Sequence, residues 1–126
     1  MGNQKAMSEE IDTTNTTDFY CDFVLNNKIE VKKEIETENV LAYHHTRPFW
    51  TTHIVIIPKQ HITELVEVGD FEIIQEIFEV IQQLVKKYKF NETNFKILTN
   101  GGEFQDSRHL HFHLFSGEPK DKNNPL

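Results

Sequence analysis

The sequence predicts an α+β fold: a five-stranded antiparallel sheet with one long helix and a short N-terminal helix. Three observations carry this. There are five short strand-like runs, one long amphipathic stretch falls between the third and fourth of them, and the remaining links are short and hairpin-like.

Residues 1–17 are polar, rich in Thr and Asn and without hydrophobic periodicity, which reads as a disordered arm; the folded domain is expected over 18–117, with a tail at 118–126. From Asp18, "DFYCDFVLNN" sets Phe19, Tyr20, Phe23 and Val24 at helical spacing, giving one or two turns that end at Asn26 or Asn27. "KIEVKKEIE" alternates and reads as the first strand. "NVLAYHH" and "HIVIIPK" are the next two, the latter rich in β-branched residues and stopped by Pro58, which has no amide hydrogen for a ladder. Between them "TRPFWTT" is a loop whose Phe49 and Trp50 either stack on a base or cover the core. Asp70 caps the helix. Phe71, Ile74, Ile77, Phe78, Ile81, Leu84, Val85 and Tyr88 form its apolar face, and the helix runs to about Lys89. Acids crowd its first turns and lysines its last, as the helix dipole favours. "NFKILTN" is the fourth strand, "GGEFQDS" a tight loop, and "RHLHFHLF" the fifth strand.

Composition excludes several classes. The 126 residues suit one domain, and no apolar window is long enough for a membrane span or a signal peptide, so a cytoplasmic protein is expected. Gly2 invites a myristoylation check, but Ala6 stands where the motif needs Ser or Thr. The single cysteine, Cys21, rules out an intrachain disulfide and a multi-cysteine zinc site; a buried free thiol is the plain expectation. With 13 basic and 20 acidic residues the net charge is −7, which argues against a protein that wraps nucleic acid. The acids are uneven: residues 39–63 hold none, yet contain Arg47, Lys59, His44, His45, His53 and His61. The other histidines, His109, His111 and His113, lie in the last strand. If these segments meet, they make a pocket for a small anion.

A strand repeats every two residues, so His109, His111 and His113 project from one face while Leu110, Phe112 and Leu114 project from the other, onto the helix. The three rings then span roughly 13 Å, longer than one metal ion and comparable to a row of phosphates. Three readings follow: an exposed strand face that happens to be His-rich; a zinc site completed by His53, His61 or Asp106; or catalysis on a phosphate, with one neutral imidazole as nucleophile and its neighbours as donors. His61 also reads as a surface residue at a strand end.

"HLHFHLF" resembles the signature of the histidine triad (HIT) nucleotide hydrolases and transferases, "HIVIIPKQHI" is similar to their second signature segment, and "NGGEFQDS" to the loop that precedes the triad. The likeness covers about residues 18–117 and is closest to the small Hint-like branch. It implies a homodimer and a metal-free mechanism that needs no cofactor. In it His111 attacks the α-phosphorus of a nucleoside phosphoramidate or dinucleoside polyphosphate and carries the nucleotidyl group until water removes it. His109 and His113 are implied as donors to phosphate oxygens, with His53 orienting the set. His45, Thr46, Asn100, Phe104, Gln105, Asp106 and Ser107 are implied to bind the nucleotide. Three positions depart from the pattern. His45 stands where relatives have a ribose-binding Asp, and Asp106 follows Gln105 where a small residue is usual. Asp18 replaces the first Cys of a Cys-x-x-Cys that holds a structural zinc in some relatives, so that site is expected to be lost and no metal is assigned. The implied partner is a small nucleotide, with neither nucleic acid nor membrane. A nucleotide-sensing module without turnover and a His-ligated metal hydrolase are the alternatives.

Overall fold

A computed structural model describes residues 14–124. The sheet consists of β1 (Lys33–Glu36), β2 (Val40–His44), β3 (Trp50–Pro58), β4 (Lys96–Thr99) and β5 (Phe112–Pro119), in the order β1-β2-β3-β5-β4, with every pair antiparallel. One helix, α1 (Glu72–Tyr88), crosses one face. This is the α+β architecture expected. No helix among the described residues is long and apolar enough to cross a membrane.

The period of two along each strand sorts the side chains into two cores. Ile54, Ile56, Leu110, Phe112 and Leu114 face α1 and pack with Ile77, Val80, Ile81 and Leu84. Val55 and Ile57 face the other way and pack with Leu41, Tyr43, Tyr20 and Val24. Burying each such side chain contributes about 1.5–3 kcal/mol, and a one-residue slip would exchange the two sets, so the register is strongly specified. In that register Val55 lies opposite His113 and Ile56 opposite Phe112. The histidines are thereby committed to the face away from α1.

That face is not open. A single π-helical turn, Tyr20–Val24, lies over it, and His109, His111 and His113 are all buried. The expected N-terminal helix is therefore one wide turn, left at Asn27 with φ 63°. Most of the arm expected at 1–17 lies outside the described residues; within 14–17, the Thr17 carbonyl accepts the Arg108 amide at 2.6 Å. Three strand limits also shift. β3 begins at Trp50, inside the expected loop, because Trp50 and Thr52 already pair with β5. β1 begins at Lys33 because the Lys28 and Ile29 amides turn back to the Phe23 carbonyl. β5 starts at Phe112 and continues past Gly117 to Pro119, so the expected tail begins inside the last strand. The last two residues lie outside the described range.

The helix limits have local causes. Phe71 rather than the expected Asp70 takes the N-cap position and makes no side-chain cap; from one residue further out the Asp70 carboxylate accepts the Glu72 amide at 3.0 Å, satisfying one free donor. Lys89 ends the helix in the left-handed region, its amide turned to the Val85 and Lys86 carbonyls. Phe71, Phe78 and Tyr88 remain substantially exposed, so the buried stripe is narrower than the apolar pattern.

Candidate active site

Hydrogen-bond donors and acceptors fix the tautomers along the histidine row. The His109 carbonyl can only accept, so the Nδ1 of His111 at 2.7 Å carries the hydrogen and Nε2 keeps its lone pair. The Phe49 amide donates to His53 Nδ1 at 3.0 Å, which places the His53 hydrogen on Nε2, aimed at His113 Nδ1 at 2.7 Å. His113 then keeps its own hydrogen on Nε2. One backbone amide at the start of β3 thus leaves His113 a donor while His111 remains an acceptor.

These rings are held neutral. Burial, with His45, His113 and His111 adding to it, pushes His53 down to about 2. Burial with His111 and His45 pushes His113 down to about 3. Burial also lowers His111, outweighing the opposing His109 carbonyl and Asp106 carboxylate, and it lowers His45. A neutral imidazole is the form that can attack an electrophile.

His109 differs. Its Nε2 donates to the Pro58 carbonyl at 2.8 Å and its Nδ1 faces Asp18 Oδ2 at 2.9 Å, so both nitrogens are occupied and neither is free for a phosphate oxygen. The donor role implied for His109 is not supported by this geometry. The same Asp18 oxygen lies 2.5 Å from His61 Nδ1, and the Cys21 sulfur lies 3.5 Å from His109 Nδ1 and 3.7 Å from His61 Nδ1. Burial would raise the Asp18 carboxyl, but the Cys21 amide and His109 more than offset it and leave it lowered. Burial and Asp18 push the Cys21 thiol up to about 11. Asp18, Cys21, His61 and His109 converge with all four ligand atoms within 4.8 Å of one another.

With Nε2 on Pro58, His109 turns Nδ1 toward the other three donors, and a cation among the four would engage all of them at once. One thiol, one carboxylate and two imidazoles suit zinc. Against the expectation that the donor set is lost, Asp18 brings an oxygen to the place of the first sulfur, so four donors still converge. An ion there would tie the N-terminal turn to the strand row. His45, His53 and His113 also cluster within 4.8 Å, but His53 and His113 are bonded to each other and no carboxylate joins them, so this set fits a metal less well.

A cavity of about 400 Å³ opens beside the row, within the usual size of a ligand pocket. His45, Thr46, Arg47, Asp106 and Ser107 supply its polar wall, and Phe19, Tyr20, Ile29 and Tyr43 its apolar wall. Four of the seven residues implied to bind nucleotide therefore line it. The others do not: Phe104 stands 83% exposed, Asn100 is off the wall, and the Gln105 amide donates to the Thr63 carbonyl at 2.5 Å. His45 stacks on His53 with ring centroids 4.3 Å apart, while its neighbour His44 turns away to Glu34 at 2.5 Å. Of the two aromatics expected in the loop, Phe49 packs on His45 and His53, while Trp50 opens β3 and stacks on Phe115. Sequence reasoning missed Phe19 and Tyr20. Their signal was the spacing of Asp18 and Cys21, which brackets them.

A HIT domain model matches residues 26–120. The chain is 34% identical over 102 residues to an uncharacterised 13.2 kDa HIT-like protein of Azospirillum brasilense, covering 75% of this chain and 81% of that one. It is 32% identical over 103 residues to the adenosine 5'-monophosphoramidase HNT1 of Saccharomyces cerevisiae, covering 79% of this chain and 63% of that one. A histidine triad protein from Clostridium difficile superimposes with a TM-score of 0.73 at 30% identity, over 82% of this chain and 93% of that one. A HIT family hydrolase from Legionella pneumophila gives 0.73 at 27% identity, over 82% and 96%. This chain belongs to the HIT family, and at that coarse level it is a nucleotide hydrolase.

Proposed function

We propose that this protein hydrolyses nucleoside phosphoramidates or dinucleoside polyphosphates through a covalent nucleotidyl group on His111. One observation carries the reading: the Nδ1 hydrogen of His111 is held by the His109 carbonyl, so an uncharged Nε2 is free to attack. His113, its hydrogen directed to Nε2 by His53, donates to a phosphate oxygen and stabilises charge in the transition state. Substrate preference within the family is a proposal from the monophosphoramidase relative. Lone Cys21 agrees with a reducing compartment, and we place the activity in the cytoplasm.

Incubating the protein with adenosine 5'-phosphoramidate, followed by a quench without acid and intact-mass analysis, should show an adenylyl adduct that maps to His111. Turnover at the full rate in His111→Ala would end the proposal. A second reading, nucleotide binding without turnover, is favoured by one observation: the Tyr20 ring lies 4.9 Å from the His111 ring and lines the cavity, whereas His111 does not. Tight nucleotide binding with neither adduct nor product would establish that reading instead.

We also propose a homodimer. β4 ends the sheet, and Phe95 just before it and Ile97 on it are exposed, as is Phe78 on α1, whose ring meets Phe112 edge-on. An apolar sheet edge invites strand pairing with a second copy. A monomeric mass in solution would remove this.

A further inference from the structure

We propose that Asp106 selects the leaving group, favouring nucleotidyl amides whose departing amine is positively charged and opposing polyphosphate leaving groups. This rests on the nucleotidyl-transfer reading above.

The backbone around Asp106 fixes where its side chain points. Gln105 is extended, with φ −82° and ψ 121°, so alternate residues project to opposite sides. Gln105 is pinned inward by its bond to the Thr63 carbonyl, and the Ser107 hydroxyl accepts the Phe19 amide at 2.9 Å. Upstream, the Gly102 amide donates to Glu64 Oε1 at 3.1 Å. Between two buried anchors, the Asp106 side chain is turned out into the cavity mouth, 85% exposed, with Oδ1 3.7 Å from His111 Nε2. Nothing in the proposed reaction requires a carboxylate beside the atom that attacks an anionic phosphate; besides its pull on the His111 ring, this one faces whatever occupies the cavity.

A phosphorus in attack range sits about 3–3.5 Å from Nε2, which places the departing atom about 5 Å from the same nitrogen. With Oδ1 3.7 Å from Nε2, the carboxylate lies within about 9 Å of whatever leaves, at the mouth of the same cavity. In a partly solvated site, one unit of charge at about 9 Å changes a rate by roughly fivefold, and by more at closer range. A departing polyphosphate carries several negative charges against Asp106, an amine with a second ammonium group carries an attractive one, and a simple alkylamine carries neither. Arg47, from the loop between β2 and β3, lines the same cavity and supplies positive charge for the nucleotide's own phosphate.

The steps balance. His111 Nε2 forms a bond to phosphorus as the phosphorus–nitrogen bond to the amine breaks, and the electron pair leaves on that nitrogen, which takes protons from solvent and departs as an ammonium. Water then attacks phosphorus, the bond to Nε2 breaks and returns its pair to the ring, and the water gives its proton to solvent. Nothing is oxidised or reduced.

The test compares three adenylyl substrates that differ only in what leaves: a diaminobutane amide, a butylamine amide and diadenosine tetraphosphate. The wild type should show kcat/KM falling in that order. Asp106→Asn should shrink the ratio of the first to the last by at least about tenfold, and Asp106→Glu should largely keep it. Molar salt should compress the wild-type ratio in the same direction, a readout that needs no variant. A ratio unchanged within about twofold in Asp106→Asn, with turnover intact, overturns this inference alone. Absence of both turnover and adduct in the wild type overturns the hydrolase reading and this inference together.

Discussion

Two ends of one row of histidines have opposite chemistry although His109 and His111 are two residues apart, on the segment that leads into β5. At one end His109 has each nitrogen committed, to Pro58 and to Asp18, and two further ligand atoms stand beside it. At the other, His111 and His113 have their hydrogens arranged by a backbone carbonyl and by His53, are held neutral by burial, and each leaves Nε2 available. Identical side chains on one face become an anchor or a reagent according to what the rest of the fold places opposite. The Asp18 carboxylate, close enough to hydrogen-bond, makes the first; close packing with other imidazoles, with the Asp106 carboxylate held off at 3.7 Å, makes the second.

The largest effect should separate the two ends cleanly. His111→Gln should lower phosphoramidate turnover by at least about 10³-fold, since no other group can carry the nucleotidyl bond, and should move the melting temperature by only a few degrees. His109→Gln should do the reverse, with a modest rate loss and the larger fall in melting temperature. Steady-state kinetics and thermal melts on the two variants check this. Equal rate losses with equal stability losses would erase the distinction.

The pH dependence of stability sharpens it. His53 and His113 are neutral when folded, at values near 2 and 3, but take up protons below about pH 6.5 when unfolded. Between those limits the unfolded chain binds more protons, so unfolding free energy rises with pH and stability is lost as the pH falls from about 6.5. Each ring contributes about 1.4 kcal/mol per pH unit. Urea melts between about pH 6 and pH 4.5 should show this slope, and His113→Gln should reduce it by roughly that amount. An unchanged slope would mean that the row titrates when folded.

The anchor end is probed next. Purified protein expressed with zinc should hold about one ion per chain, read by elemental analysis, and Asp18→Ala should lose it. Without metal the same substitution should cost about 1–3 kcal/mol, because His61 and His109 lose a shared acceptor. Zinc retained in full by Asp18→Ala would detach this carboxylate from the site.

How far the sequence revealed this division follows from which forces are local. The strand period placed the three histidines on one face and Leu110, Phe112 and Leu114 on the other, and the helical period placed α1 behind them, because both depend on spacing along the chain. What lay over the histidine face was not legible. "DFYCDFVLNN" was read correctly as a turn of helix in outline, but its docking over His109 and His111 is a contact between residues about ninety positions apart. The same limit hid the fate of Asp18, which sequence alone presents as a missing cysteine. Gln105 shows the converse: its place in the loop was legible, while the direction of its amide depends on Thr63, a residue that no motif marks.

The smallest effect belongs to the most exposed member of the anchor. The His61 side chain is half exposed, and its pairing with Asp18 is open to solvent on one side. Such a pair contributes about 0–1 kcal/mol, so His61→Gln in chelator should shift the unfolding midpoint only slightly. Zinc changes the arithmetic, because an ion that binds only the folded chain stabilises it by RT ln(1 + [zinc]/Kd), and removing one of four ligands raises Kd. The gap between wild type and His61→Gln should therefore be small in chelator and widen steadily as free zinc is raised. A gap that stays constant across the titration would make His61 a surface neighbour of Asp18 rather than a ligand, and would leave the anchor end of the row with three donors.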